Sequence, residues 1–351
     1  MNNYIYRSAT LGGTLTFLNS TTATEYTDTG LTPGGTYYYV IDSYGPNGTK
    51  FVTPTNEAVA GVAAFVAIAQ SQTNAAYSAD GIHWTNSIGG MPTTAAWTSV
   101  AYGEGMFVAV AGSGNHAAYS YDGIHWNEST LSDFSASWNS VTYGDGMFVA
   151  VGAGQGVAHS TDGVNWTVSS AAMPASQTWT SVTYGDGEFV AVCSEGGSVD
   201  DCAYSANGTS WTANAMTADG KWNCIGYGGS TFVAITGPDL VNYGSFSSGI
   251  SFSSSSVAST GWSGIAYGDS RFVAVAGVSS GSTAAYSSTG ATWTSSTLPS
   301  SHSWTGVACG SGTFAAVAHG TSDAAYSTTG TTWTASTMSS SANWISVAAE
   351  Q

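Results

Sequence analysis

The stretch WTSVAYGEGMFVAVAGSGNHAAYSYDGIHWNESTLSDFSAS, Trp97–Ser137, decides the fold because it recurs, with drift, along most of a 351-residue chain. The tryptophans that open successive copies are Trp97, Trp138, Trp179, Trp222, Trp262, Trp304 and Trp344, spaced by 41, 41, 43, 40, 42 and 40 residues. A period of about 40–45 residues with several short strands per unit is the signature of a β-propeller. Within the unit, Trp97–Tyr102 reads as a first strand. Gly103-Glu104-Gly105 is a tight turn, and Phe107–Ala111 is an apolar second strand. Ala117–Ser120 is a third strand, Asp122-Gly123 a two-residue type I′ hairpin turn, and Ile124–Asn127 a fourth strand.

Working outward, Gly61–Ala69, Ala75–Ser78 and Ile82–Thr85 supply strands two to four of a copy that has no tryptophan-bearing first strand. Trp344–Ala348 is a first strand with nothing after it. Joined, they complete one blade. Six whole blades and this split one predict a seven-bladed, all-β propeller whose ends close within a single blade, which staples the ring shut and removes a free sheet edge. All thirteen tryptophans occupy repeat positions. Seven open first strands. Six (Trp84, Trp126, Trp166, Trp211, Trp293 and Trp333) close the third hairpin, where the fifth copy has Phe252. Residues that recur in every unit are read as wedges between blades, since a ligand needs no such periodicity. The apolar residues Met91, Leu131, Met173, Met216, Leu298 and Met338 recur in the four-to-one loops and are read as packing for the same reason.

The segments Ser78–Trp84, Ser120–Trp126 and Ser160–Trp166 resemble the Asp-box (BNR-type) repeat of sialidase-like propellers, with one residue fewer between Asp and Trp. The whole unit, "YGxGxFVAV" with "AAYSxDGxxW", resembles repeats of bacteriophage tail and other virion proteins over residues 61–351. The resemblance implies the fold and a place on a virion; it does not imply an activity.

Composition narrows the function. Charged residues are only 7% of the chain and the net charge is −17, with Arg7, Arg271, Lys50 and Lys221 the sole Lys and Arg. Phosphate backbones and anionic membranes are bound by Lys and Arg, so neither is an expected partner. Met1-Asn2-Asn3-Tyr4 shows no basic start and no apolar segment, and no run approaches the ~18 apolar residues of a membrane span. An extracellular-looking composition without an export signal is what a virion protein made in the host cytoplasm would have; a secreted extracellular protein is the alternative.

Residues 1–54 read as a separate β domain, with 55–351 forming the propeller. Strands are expected at Tyr4–Thr10, Leu15–Ser20, Glu25–Thr27, Thr36–Ser43 and Lys50–Thr55, with joints at Gly12-Gly13, Pro33-Gly34-Gly35 and Pro46-Asn47-Gly48. The run Tyr26–Val40 resembles the second half of a fibronectin type III module. That resemblance implies a tyrosine corner at Tyr37 and a sandwich lacking its first two strands. A partner strand, packing on the propeller or a reduced fold would each answer the deficit, and docking to other virion proteins through this domain is the expectation. Pro54–Ala60 is the joint, and it competes with Trp344–Ala348 for the open place in the split blade; the tryptophan favours the latter.

The longer two-to-three and four-to-one loops share one face, where recognition is expected. The fourth copy carries Cys193-Ser194-Glu195-Gly196-Gly197-Ser198-Val199-Asp200-Asp201-Cys202 there. Glu195, Asp200 and Asp201 are a candidate cation site or a solvated acidic loop. Cys193 and Cys202 form a cross-strand disulfide or stay reduced; Cys224 and Cys309 read as small buried residues. An enzyme is not expected. A sialidase needs clustered arginines, and Arg271 is alone in the propeller. Asp80, Asp122, Asp145, Asp162 and Asp186 are explained by turns, and His83 and His125 share a repeat position. His116, His159, His302 and His319 lack metal-ligand spacing. No catalytic residue and no cofactor are expected. The expected function is that of a non-enzymatic virion surface appendage, a tail fibre, spike or head decoration, that recognises a host-surface glycan; a bacterial surface or secreted carbohydrate-binding propeller is the alternative. Self-association is left open.

Overall fold

The computed structural model describes residues 2–10, 13–22, 36–44, 50–52, 56–59, 63–131, 137–169, 172–195, 201–217, 220–237, 240–246, 249–257, 261–277 and 281–350. These residues are all-β. None of their segments is a helix long and apolar enough to cross a membrane. The chain divides into two compact units, Met1–Val62 and Ala63–Gln351. The division falls later than the expected joint after residue 54 because Asn56–Val59 pairs antiparallel with the start of Thr36–Tyr44, placing Glu57 opposite Tyr38.

In the first unit the strand order is Thr16–Thr21, Asn2–Ser8, Thr36–Tyr44, Lys50–Val52, all antiparallel, with Asn56–Val59 beside the other half of the long strand. The expected strand at Glu25–Thr27 and the joints at 33–35 and 46–48 lie outside the described residues. Strand alternation puts Tyr4 and Tyr6 on one face, where they meet Phe17 and, edge to face at 5.4 Å, Tyr4 meets Tyr44. Ile5, on the other face, is buried. The Arg7 guanidinium lies 5.1 Å above the Tyr37 ring.

The second unit is a β-propeller, with each blade named here by the tryptophan opening its innermost strand. The Trp97 blade runs Trp97–Gly103, Met106–Ala111, His116–Ser120, Asn127–Thr130, each strand antiparallel to the next. The Trp138, Trp179, Trp222, Trp262 and Trp304 blades repeat that order. The end of Thr334–Ala349 pairs with Phe65–Ala69, Trp344 opposite Ala69 and Ala349 opposite Phe65, and Ala75–Ser78 and Thr85–Asn86 complete the Trp344 blade. Innermost strands contact their neighbours in sequence, and Thr334–Ala349 contacts Trp97–Gly103, so the ring is closed. Asn56–Val59 takes no part in it.

The two kinds of hairpin turn differ from the expectation. Glu104 and Gly105 both have positive φ, 49° and 73°, so the one-to-two turn is the type I′ turn. In the three-to-four connection only Gly123 has positive φ. There the Asp122 carboxylate accepts hydrogen bonds from the Ile124 and His125 N–H groups, both at 2.8 Å, while Ser120 Oγ accepts from Gly123 N–H. This side-chain-built turn uses residues 121–126, and the fourth strand starts at Asn127, not Ile124. Asp80 and Asp162 act in the same way, and Asn207 replaces the carboxylate with an amide oxygen.

The cores lie between blades. One contains Val108, Val110, Trp138, Phe148 and Trp166; the next contains Val149, Val151, Trp179, Phe189 and Trp211. Each joins the second strand of one blade to the first-strand tryptophan, second-strand phenylalanine and third-hairpin tryptophan of the next. Phe252 fills the last of these places beside Trp222. The seven first-strand tryptophans are at most 1% exposed. Met91, Leu131, Met173, Leu298 and Met338 are at most 2% exposed, and Met216 packs at the edge of its core. These recurring aromatics and loop apolar residues are packing.

Two rings of hydrogen bonds stitch blade to blade. On the inside, the residue after each tryptophan donates to the carbonyl of the next blade's tryptophan: Thr98 to Trp138 at 2.8 Å, Asn139 to Trp179 at 2.9 Å, Thr180 to Trp222 at 2.6 Å. Asn223 donates to Trp262, Ser263 to Trp304 and Thr305 to Trp344. Ile345 cannot, and breaks the series. On the outside, fourth-strand serines donate to the turn of the next blade: Ser129 to the Val164 carbonyl, Ser296 to that of Thr331, and Ser336 to that of Ile82.

Candidate functional site

The innermost strands surround a central channel. Their sequences, WTSVAYG, WNSVTYG, WTSVTYG, WNCIGYG, WSGIAYG, WTGVACG and WISVAA, place like residues at like depths. Midway lies a belt of Val100, Val141, Ile225, Ile265, Val307 and Val347. On the long-loop side the channel opens through a cavity of about 200 Å³ lined by the Ser, Thr and Asn groups of the inner ring. Those groups are engaged with neighbouring backbone. Ser99, Ser140, Ser181 and Ser346 also accept the N–H of Val141, Val182, Ile225 and Val100 in the adjoining blade, at 3.1–3.2 Å.

On the short-turn side is the larger cavity, about 540 Å³, ringed by Tyr102, Tyr143, Tyr184, Tyr227 and Tyr267, with Cys309 and Ala349 at the equivalent places. Why the rings stand here follows from the glycine that ends each first strand. A methyl on Gly144 would lie 2.0 Å from Cγ of Tyr184, and Gly103, Gly185 and Gly228 stand in the same relation to Tyr143, Tyr227 and Tyr267. The Tyr143, Tyr184, Tyr227 and Tyr267 rings each lie flat over the preceding blade's glycine, the other side against their own blade's phenylalanine, as Tyr184 on Phe189 at 4.7 Å. Tyr102, whose preceding blade has Glu350 in place of the glycine, packs on Phe107 at 4.8 Å. Tyr143 donates to Glu104 Oε1 at 2.6 Å and Tyr102 to Glu350 Oε1 at 3.0 Å. The one-to-two turns bring Glu104, Asp145, Asp186 and Asp269 to the same side.

The field at this mouth is negative. Burial, reinforced by Glu104 and Asp145, pushes the Tyr143 phenol up to about 12. Burial and Glu350 raise Tyr102; burial with Asp145 and Glu188 raises Tyr184. Burial also raises the carboxyl of Glu188. These tyrosines were missed by sequence reading. The signal was the Tyr-Gly pair closing first strands, absorbed into the strand pattern because it recurs as faithfully as the tryptophan wedge.

The candidates singled out from sequence are less gathered. Asp200 lies outside the described residues. Glu195 caps a strand, accepting the Thr178 N–H at 2.6 Å, and Asp201 is buried with its carboxylate 3.9 Å from Cys193 Sγ. Among the described residues no three His, Cys, Asp or Glu groups are placed to hold a metal ion. Cys193 and Cys202 are both free thiols. Val192, not Cys193, pairs with Cys202, so the two side chains leave opposite faces of the sheet; Cys193 enters the core with Trp179, Cys202 the core with Trp222. The cross-strand disulfide is therefore absent. Cys224 is buried and Cys309 half-buried at the tyrosine mouth. The histidine–carboxylate pairs are dispersed: His83 with Asp80 and His125 with Asp122 in turns, His116 with Glu128, His302 with Asp323.

No protein-family model matches the chain, and a comparison with curated proteins finds no match. Solved structures do resemble it. A streptogramin B lyase is 10% identical over 72% of this chain and 86% of its own, with a TM-score of 0.61. YCF48 bound to D1 peptide is 14% identical over 72% and 84%, TM-score 0.55. The Cps50 (Swd1) β-propeller domain of Myceliophteria thermophila is 9% identical over 75% and 96%, TM-score 0.52. At such identities the likeness is one of architecture, and the chain shares with these proteins the β-propeller fold.

Proposed function

We propose that this chain is a non-enzymatic recognition protein of a virion surface appendage, attached through residues 1–62 and presenting a seven-bladed propeller to a host surface. The observation that carries the binding half is the channel. It is where polar side chains of many blades converge, yet the carboxylates around it sit on turns and hold tyrosines, and no nucleophile–base–orienter set is assembled there among the described residues. The pairing of Trp344–Ala349 with Phe65–Ala69 supports the count of seven. The virion half rests on the resemblance of the "YGxGxFVAV" and "AAYSxDGxxW" units to phage repeats. Docking through the first unit rests on the single sheet that its described residues form. The order Thr16–Thr21, Asn2–Ser8, Thr36–Tyr44, Lys50–Val52 suits one layer of a fibronectin-type sandwich, and sandwiches need a facing layer. A carbohydrate-binding propeller acting outside a virion is the second reading.

The test is light scattering and thermal unfolding of the full chain beside a fragment beginning at Ala63, with adsorption of the labelled full chain to bacterial cells. Cell adsorption, a stable monomeric fragment and an associating full chain are the expected results. Two equally stable monomers would remove the docking argument and leave the isolated binding module. Turnover of a substrate, lost on changing one loop carboxylate, would overturn the non-enzymatic reading.

A further inference from the structure

We propose that the tyrosine mouth binds an organic cation bearing N–H donors, an alkylammonium or guanidinium group, through the oxygens of Tyr102, Tyr143, Glu104 and Glu350, with the aliphatic stem reaching toward the Val/Ile belt. The inference rests on the recognition reading above and names its ligand class.

Four observations converge. The cavity, about 540 Å³, is of the size that encloses small ligands. At Tyr102 and Tyr143 the hydroxyl protons are spent, since each donates to a carboxylate and a phenol has one proton to give. What these two phenols and their carboxylates hold out to a ligand is lone pairs. The backbone adds more. The Val100, Val141, Val182 and Ile225 N–H groups point away from their own blade to a neighbour's serine, so strand alternation turns the carbonyls of the same residues toward the channel. Charge is the fourth. Glu104, Asp145, Asp186 and Asp269 ride the turns on this side, while Arg271 turns toward Asp269 and the Tyr286 ring. A site of acceptors in a negative field selects a donor-rich cation.

The same geometry argues against other occupants. Sugars stack on open aromatic faces, and the faces of Tyr143, Tyr184, Tyr227 and Tyr267 lie against Gly103, Gly144, Gly185 and Gly228, while Tyr102 packs on Phe107 at 4.8 Å. Phosphates and uronates need cationic donors, and none of the residues lining the cavity is Lys, Arg or His. An inorganic ion needs three or more gathered ligands, which the described residues do not provide.

The experiment is calorimetric titration of the full-length protein with n-butylammonium chloride, with n-butanol and sodium butyrate as isosteric controls and an acetyl-Gly-Lys-Gly amide as competitor. Saturable binding of butylammonium alone is expected, weakened about tenfold or more by Tyr143→Phe and by Glu104→Gln, as befits hydrogen bonds to a charged group. Competition by the peptide identifies a partner's lysine as the source; binding of the amine without competition identifies a small amine. No saturation up to about 100 mM, well into the weak range of affinities, or equal binding of butanol, or unchanged binding by both variants, overturns the proposal. Cell adsorption measured on the same samples separates the two readings. Adsorption without amine binding sinks the cation site alone, and absence of both sinks the recognition reading with it.

Discussion

Gly144→Ala sets local preference against packing. Gly144 ends an innermost strand and is not among the residues of positive φ, so alanine fits its backbone. On propensity alone, replacing a strand glycine by alanine stabilises by about 0.5–1 kcal/mol. The added methyl, however, would stand 2.0 Å from Cγ and 2.4 Å from both Cδ atoms of Tyr184, where carbon atoms rest at about 3.5–4.0 Å. The ring must retreat about 1.5 Å, and Phe189 stands behind it at 4.7 Å between centroids. Overpacking of this kind costs about 1–3 kcal/mol; with the ring pinned the upper end applies, leaving a net loss of about 2 kcal/mol. For a unit of this size that is a fall in Tm of about 3 °C. The assay is thermal unfolding of wild type, Gly144→Ala, Tyr184→Leu and the double variant, monitored by near-ultraviolet circular dichroism. In the Tyr184→Leu background the alanine becomes neutral or stabilising, a coupling of about 2 kcal/mol. If Gly144→Ala alone raises Tm, the ring does not rest on the glycine and the account of the tyrosine mouth fails.

Ile345→Thr supplies the missing donor of the inner ring, toward the Trp97 carbonyl, and is expected to raise stability by about 1 kcal/mol, read as a higher urea midpoint. Hydrogen bonds from the turn, opposed by burial, depress Asp80 from 3.8 to about 2, and they depress Asp122 and Asp162 in the same direction. Groups whose folded pKa is lowered stabilise above the unfolded value, so the urea midpoint should hold from pH 7 to about pH 4 and fall between pH 4 and 2; Asp162→Asn should flatten that fall. Burial pushes Cys193 and Cys224 up to about 12, Cys309 up to about 11 and Cys202 upward. Native protein at pH 8 should therefore label slowly, Cys309 first, and unfolded protein should take up a thiol reagent at all four cysteines, where a disulfide would leave two.

Periodicity made the strands and the tryptophan wedges legible, because a residue that must fill the same gap in every blade recurs at the same interval. The same periodicity hid the tyrosine mouth, since recurrence cannot separate a ring packed between blades from one whose hydroxyl stands at a channel. Asp122-Gly123 was misread because the pair suits a type I′ turn, while the serine two residues before it makes a side-chain-capped turn that consumes more chain. The Cys193–Cys202 pair looked bridgeable across a hairpin. One residue of register, with Val192 opposite Cys202, sends the thiols into different cores, and register is set by tertiary packing that spacing alone does not report.

The closing of the ring by residues 344–349 has a consequence for biogenesis. Phe65–Ala69 finds its partner strand only after almost three hundred further residues have left the ribosome. Until then the nascent chain is an open arc with an apolar slot at Phe65, Val66, Ala67 and Ile68, residues wholly buried in the finished protein. A contact of such sequence separation forms late and slowly, and an exposed strand edge is where chains pair with the wrong neighbour. The interval before residues 344–349 emerge, more than the folding of any single blade, is then when this protein is most open to aggregation or to capture by a chaperone.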